Sequence, residues 1–261
     1  MDLLTTAKKA ALEAGDLLKQ GFGTSFQIES KEGKQNLVTE YDLSSQKLIV
    51  EILKGAFPTH HFLAEEGDLK QMPSDEILWI IDPLDGTVNF AHNIPLFAVS
   101  IAAARGNEIL AGVIYQPLLD ELFASEKGSG AYLGKNRLQV TDQKNLEEAF
   151  TATGFPYDAY KNPMHCIERF GKMVAKGIPI RRLGVASIDL AYVAMGRFDL
   201  FWEVGLHPWD MAAGKLLIEE AGGKVTHYDG SPHQIYSYLP ILASNGHLHE
   251  IMVDYLKEDL A

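Results

Sequence analysis

The string Trp79-Ile80-Ile81-Asp82-Pro83-Leu84-Asp85-Gly86-Thr87 is where residue types and spacing first point to chemistry. An apolar run ends in two carboxylates, with Pro83 stiffening the link between them and Gly86 letting the backbone approach a ligand. The carboxylates of Asp82 and Asp85 and the carbonyl of Leu84 are hard oxygen donors, the kind Mg²⁺ takes in a near-octahedral shell at about 2.0–2.1 Å. The N–H groups of Gly86 and Thr87 then open a turn or helix, a setting that favours an anion. A metal and a phosphate would meet there. The string also fits an Asp-Pro turn followed by an Asp-Gly turn with no chemistry, and two further acids weigh against that. Glu65 ends its own apolar run in Ala-Glu-Glu-Gly, and Asp210 follows Pro208-Trp209 at the start of a helical pattern. Four carboxylates at element ends are the inventory of a two-metal site, whose ions lie about 3.5–4 Å apart and clamp the attacking and leaving oxygens at phosphorus. Glu66 reads as a solvated neighbour.

The elements that must position these acids show as periodicity. Leu4, Ala7, Ala11, Ala14 and Leu18 form one stripe of a helix from Asp2 to Phe22, closed by Gly21 and Gly23. The polar string 31–36 reads as a hairpin tip or mobile loop. Asp42 stands as the N-cap of a second helix that carries Leu48, Ile49, Ile52 and Leu53 and stops near Gly55 and Pro58. Runs 61–64 and 77–81 finish in acid, as strand ends, and runs 97–103, 109–115 and 121–124 read as an antiparallel meander. After Phe150 helices at 165–175, 188–195 and 209–221 alternate with strands at 178–183, 198–204 and 224–227, which describes a second αβ unit. The division falls near 142–150, giving units 1–145 and 146–261 of one compact module.

Taken with the upstream Glu-Glu-Gly, the Asp82–Thr87 string and the late Pro-Trp-Asp-Met-Ala-Ala-Gly with Glu-Ala-Gly-Gly resemble the inositol monophosphatase family of Mg²⁺-dependent, lithium-sensitive phosphatases. The resemblance extends to stretches beginning at Lys31, Thr153 and Arg181, and so spans nearly the whole chain. It implies an α+β fold of the layered αβαβα type, a homodimer, two or three Mg²⁺ ions per site, and hydrolysis of a phosphate monoester on a small polyol, myo-inositol monophosphate foremost. By the same resemblance Glu65, Asp82, the Leu84 carbonyl, Asp85 and Asp210 would hold the metals. Glu65 and Thr87 would place the attacking water, with Asp42 holding Thr87, while Asp85, Gly86, Thr87 and Asp210 line the phosphate side. Glu203 would accept hydrogen bonds from ring hydroxyls, with Gly184 and Ala186 nearby, and Lys31 and Thr39 match a mobile loop that recruits a further Mg²⁺. Val185 stands where the family more often carries a small polar residue.

The 261 residues carry a formal net charge of −12 without a Lys/Arg block, which argues against a phosphate-tracking nucleic-acid groove. Asp2 precedes the first apolar residues and the lysines follow them, the reverse of a secretory signal. No run approaches the ~20 apolar residues that a membrane span needs. The single cysteine, Cys166, fits a reducing, cytoplasmic setting. Gly128, Gly130 and Gly134 have the wrong spacing for a dinucleotide loop, and Lys135–Val140 does not read as its helix. His60, His61, His247 and His249 lack helical metal-pair spacing and read as surface residues, while Met164, Met173 and Met195 read as core filling. Two rivals remain: a phosphatase of the same fold for fructose 1,6-bisphosphate or another sugar, nucleotide or histidinol phosphate, and a regulator that binds the transcription machinery. An acid at Glu203 suits neutral hydroxyls and repels a second phosphate.

Overall fold

The computed structural model describes residues 2–30, 37–67, 75–237 and 240–257. Asp2 accepts a hydrogen bond from the Thr5 N–H at 2.7 Å and so starts α1 (Leu3–Gly21), whose buried stripe is Ala7, Ala10, Ala11, Ala14 and Leu18. The hairpin β1 (Ile28–Ser30) and β2 (Leu37–Thr39) follows, and the expected tip at 31–36, with Lys31, lies outside the described residues. In α2 (Glu40–Ala56) the cap is Thr39, not Asp42. Asp42 is the third helical residue and reaches back to Thr39, the reciprocal capping box.

β3 (His61–Ala64) and β4 (Leu78–Asp85) pair in parallel. After the short α3 (Thr87–Ala91), the meander β5 (Ala98–Arg105), β6 (Glu108–Gln116), β7 (Glu121–Glu126), β8 (Ala131–Leu133) and β9 (Asn136–Arg137) completes a seven-stranded sheet in the order β3-β4-β5-β6-β7-β8-β9. The glycines at 128–134 therefore serve this meander, and Asn136–Arg137 is strand. The second half supplies β10 (Thr151–Thr153), α4 (Cys166–Ala175), β11 (Ile180–Arg181), α5 (Ala186–Ala194), β12 (Leu200–Glu203), α6 (Pro208–Glu220), β13 (Lys224–Thr226), β14 (Ile241–Ser244) and α7 (His249–Lys257). Its sheet has the order β11-β10-β12-β14-β13, parallel across the first three strands and antiparallel beyond.

The period of two within each strand sorts the chain into layers. From β4, Trp79 and Ile81 pack with α1 and α2, whereas Leu78 and Ile80 face the opposite way, onto α5 and α6. From β12, Phe201 joins that same inner cluster, and Leu200 and Trp202 pack with α4 and α7. The order is helix, sheet, helix, sheet, helix: the αβαβα layering. α6 lies so close to β6 that a Cβ on Gly112 would stand 3.0 Å from the Ala213 Cα and 3.1 Å from its carbonyl oxygen. Backbone rests on backbone there.

Several expectations need correction. The strand at 178–183 shrinks to Ile180–Arg181, and β14 and α7 have no counterpart in the periodicity reading. His249 is buried rather than on the surface, and Met164 is 45% exposed rather than core filling. Among the described residues no helix is long and apolar enough to cross a membrane.

Candidate active site

In a regular strand, residues three apart face opposite sides, so Asp82 and Asp85 should diverge. They converge because the register of β4 against β5 shifts between them, the signature of a bulge. The Leu84 N–H donates to Asp82 Oδ1 at 3.1 Å, and Ser45 Oγ on α2 donates to the Pro83 carbonyl at 2.8 Å, which pins the irregularity from both sides. Gly86 then turns the chain with φ +91°, and a Cβ there would lie 2.8 Å from Val185 Cγ2 and 3.2 Å from the Leu96 carbonyl oxygen. Both backbone sign and space require glycine. Val185, fully buried against this turn, is absorbed by packing.

Thr87 opens α3, and its hydroxyl stands 2.9 Å from Asp42 Oδ1 and 3.0 Å from the Leu84 carbonyl oxygen; its one proton serves one acceptor at a time. The other oxygen of Asp42 accepts from the Thr39 N–H at 2.7 Å and the Thr39 hydroxyl at 2.6 Å. Burial pushes the Asp42 carboxyl up, the Thr39 and Thr87 donors pull it back, and the charge of half-buried Glu66 adds to the rise. Glu66 itself is tied to Gln46 through its main chain, its N–H donating to Gln46 Oε1 at 3.0 Å and its carbonyl accepting from Gln46 Nε2 at 2.8 Å.

Asp210 is the third residue of α6, behind Pro208, and its Oδ2 accepts from the His207 N–H at 2.7 Å. Asp85 Oδ2 accepts from the Ser187 N–H at 2.8 Å and hydroxyl at 2.6 Å, tying β4 to the first turn of α5. Asp85 and Asp210 keep some surface in water as residues, but their carboxyl groups are enclosed, and burial governs both. Asp85 is pushed up to about 6, held back by donors from Ser187, Ala186 and Gly86. Asp82 rises well above the carboxylate range, first by burial and then by the charges of Glu65, Asp85 and Asp210. Glu65, just past β3, donates its N–H to the Ile81 carbonyl at 3.2 Å and so lies alongside β4.

Among the described residues no three His, Cys, Asp or Glu side chains close into a cage that would hold an ion unaided. The mutual field nevertheless couples all four acids. The two observations are compatible: bare carboxylates repel, and Mg²⁺ is usually held by one or two carboxylates with the substrate phosphate and waters rather than by an all-protein shell. A set of enclosed, all-oxygen donors with raised proton affinity fits a hard divalent cation. A separate cleft of about 500 Å³ lined by Arg105, Lys127, Lys215 and Glu220 lies away from these acids, and its charges largely pair with one another.

On the other side stands Glu203, at the end of β12. Burial and the Asp85 charge push it up to about 8, and Arg182 opposes them. Gly184, at φ +74°, sits beside the Asn89 amide, which donates to the Leu96 and Leu183 carbonyls at 2.9 and 3.0 Å, and Ala186 begins α5. Three neighbours escaped the sequence reading. Ser187 carries no motif of its own. Asp189 on α5 is buried, with Oδ1 lacking a partner among the described residues, and feels the charges of Glu203 and Asp85. Tyr157 is 62% exposed, and its phenol is pushed up by partial burial and by the charges of Glu65, Asp85, Asp210 and Asp82, which places it within their field. The phrase Phe155-Pro156-Tyr157 was the only available signal.

Comparison with known proteins agrees with this geometry. The profile described as the inositol monophosphatase family matches residues 1–260. An inositol-1-monophosphatase of Caulobacter vibrioides is 42% identical, over 95% of this chain and 98% of that one. The Nus factor SuhB of Pseudomonas aeruginosa is 41% identical, over 93% and 91% of the two chains. Among solved structures, the extragenic suppressor protein suhB from Bartonella henselae superposes with a TM-score of 0.91 at 39% identity, covering 99% of each chain. With the profile, the layers and the acids in agreement, the chain belongs to the inositol monophosphatase family, a family of phosphatases.

Proposed function

We propose that the chain hydrolyses the phosphate monoester of a small cyclic polyol, myo-inositol monophosphate foremost, with Mg²⁺ as its metal. The observation that carries this reading is the convergence of Glu65, Asp82, Asp85 and Asp210 beside the hydrogen-bonded pair Thr87–Asp42. Glu65, Asp82, Asp85, Asp210 and the Leu84 carbonyl would hold two or three ions. When bound, Mg²⁺ would acidify water and neutralise charge on the phosphate and the leaving oxygen. Thr87, with its proton directed to Asp42, offers a lone pair to the proton of the attacking water, and Glu65 offers the other acceptor. The Thr87 N–H, and the Gly86 N–H once Asp85 turns to metal, would bind the phosphate oxygens, and Glu203 would meet the ring hydroxyls with Gly184 and Ala186 beside it. Water adds to phosphorus, the P–O ester bond breaks, and the alcohol leaves with a proton. Thr39 fixes Asp42, and by the family resemblance Thr39 and Lys31 would help recruit a further ion.

The test is a substrate panel with kcat/KM measured in Mg²⁺ and in chelator. Inositol 1-phosphate should lead fructose 1,6-bisphosphate, because Glu203, ionised once bound Mg²⁺ offsets the Asp85 charge, repels a second phosphate, and lithium should inhibit more strongly as substrate rises. A lead for the bisphosphate, or equal rates in chelator, would refute the reading. The same reading includes a homodimer, checked by light scattering, and a cytoplasmic setting supported by lone Cys166. A second role rests on relatives named Nus factor SuhB; retention of RNA polymerase subunits by the immobilised chain tests it.

A further inference from the structure

Gly154 has no backbone reason to be glycine. It lies just past β10 and is absent from the positive-φ residues, so any L-residue could adopt its conformation. What surrounds it differs from an ordinary strand end. A Cβ built on Gly154 would collide with the carboxylate of Glu203, meeting Oε2, Cδ and Oε1 before any other atom. The acid lies against the bare Cα of the glycine.

Two contacts keep this arrangement from relaxing on the glycine side. Thr153 pairs with Trp202, and its hydroxyl donates to the Trp202 carbonyl at 2.6 Å, which locks the end of β10 to the end of β12 one residue before each partner. Phe155, immediately after, stacks edge-on against Phe170 at 5.4 Å and lies beneath the Arg182 guanidinium at 5.8 Å. With the backbone held on both sides, a methyl group at 154 would displace the far end of the Glu203 side chain and not the main chain. Displacement would carry the carboxylate away from a position faced by Asp85, Asp189 and Asp210 on one hand and Arg182 and Tyr228 on the other.

We propose that Gly154 is a specificity-determining position of this phosphatase: its missing side chain is the seat of the Glu203 carboxylate, and the seat sets where that acid meets the hydroxyl-bearing part of a cyclic polyol phosphate. The proposal rests on the reading of Glu203 given under Proposed function. Gly154 touches no reacting atom and acts through Glu203, so it is a positioning residue.

The experiment compares Gly154→Ala, Glu203→Ala and the double variant in the full-length protein with Mg²⁺, reading the ratio of kcat/KM for inositol 1-phosphate to that for 2-glycerophosphate, which lacks the ring. Hydrogen bonds to a charged group are worth about 10- to 100-fold, and Gly154→Ala should lower the ratio by that order. The double variant should be no worse than Glu203→Ala, because both changes remove one interaction. A merely structural role would depress both substrates alike and leave the ratio unchanged, overturning the proposal, as would additive losses in the double variant. If Glu203→Ala itself leaves the ratio unchanged, the reading of Glu203 fails and the seat with it; if only Glu203→Ala changes it, the seat alone fails. Should Gly154→Ala lower the melting temperature, recovery in the double variant supports the seat, and no recovery overturns it.

Discussion

His249 and Asp82 are both buried and both ionisable, yet the chain furnishes their surroundings in opposite ways. At the β13–β14 edge, His249 has Thr226 Oγ1 2.8 Å from Nε2 and Ser244 Oγ 2.8 Å from Nδ1, so a neutral ring is satisfied on both sides. Burial and Lys224 push it down to about 4. His227 is similarly tied, with Nδ1 3.1 Å from the Pro240 carbonyl oxygen. His233, its ring 4.6 Å from that of His227 and tilted 44° to it, is pushed down to about 3 and has neither ring nitrogen bonded among the described residues, an arrangement that a neutral imidazole endures more easily than a charge does. Around Asp82 the balance reverses: three other carboxylates face it, and burial with their field drives its proton affinity up. A buried group whose donors and acceptors match is architecture. Enclosed acceptors crowded without matching cations mark a site shaped for something else to complete.

The strongest way to break this contrast is to neutralise one acid. Asp82→Asn or Asp210→Asn should lower turnover at saturating Mg²⁺ by at least about 10³-fold, the scale of losing several kcal/mol of metal-assisted stabilisation. The metal-free variant should melt no lower than the metal-free parent, since one repulsive charge is gone. Retained turnover, or a lower melting temperature, would remove the acids from the contrast. Next in size is the response to metal. Mg²⁺ at about 100 times its dissociation constant should stabilise the parent by about 2.7 kcal/mol, several degrees by calorimetry, and Asp82→Asn should lose most of that shift.

The imidazole side gives a comparable loss that Mg²⁺ does not repair. His249→Leu leaves the Thr226 and Ser244 hydroxyls without their ring partner, at about 1–3 kcal/mol in urea melts. The pH dependence separates the clusters by sign. Glu203, at about 8 when folded against an ordinary 4.5, holds a proton that the unfolded chain releases, so metal-free stability should fall as pH rises from about 4.5 to 8. Glu203→Gln should flatten that limb. His249, at about 4 against an ordinary 6.5, contributes stability that is full above 6.5 and lost as pH falls towards 4. Parallel slopes for parent and Glu203→Gln would contradict the assignment. The smallest effect sets the baseline: Lys9 and Glu13 on α1 stand 3.7 Å apart and largely exposed, and Glu13→Gln should change stability by less than about 0.5 kcal/mol.

Much of this was readable from residues. Asp82 and Asp85 were legible because an apolar run ended in acid, and α1 because its alanines repeat at helical spacing. Their convergence was not legible, since strand parity sends residues three apart to opposite faces and only the bulge reverses it. The helix start at Thr39 was available in Thr-Glu-Tyr-Asp, a capping-box pattern overlooked in favour of Asp42 alone. β14 was hidden because Ile241–Ser244 is short and buried on both faces, leaving no alternation. Ser187, Asp189 and Tyr157 reach the acids through tertiary approach, to which local spacing is blind. Glu65 and Asp210 stood out as acids at element ends, and Asp42 stood out as a helix cap to which only the family resemblance gave a place in the site.

The contact between Gly112 and Ala213 sets a manufacturing tolerance. Asp210 rides on the first turn of a helix about 20 Å long, and that helix rests on the sheet at Ala213, main chain against main chain, one turn from the acid. Side chains can absorb error by changing rotamer; a backbone reference face cannot. A methyl group at 112 would be transmitted as a shift of the helix, and hence of Asp210 relative to Asp82 and Asp85. Anyone retooling this scaffold for another phosphate ester can therefore vary the polyol wall freely, but must leave that face untouched for the acids to stay in gauge.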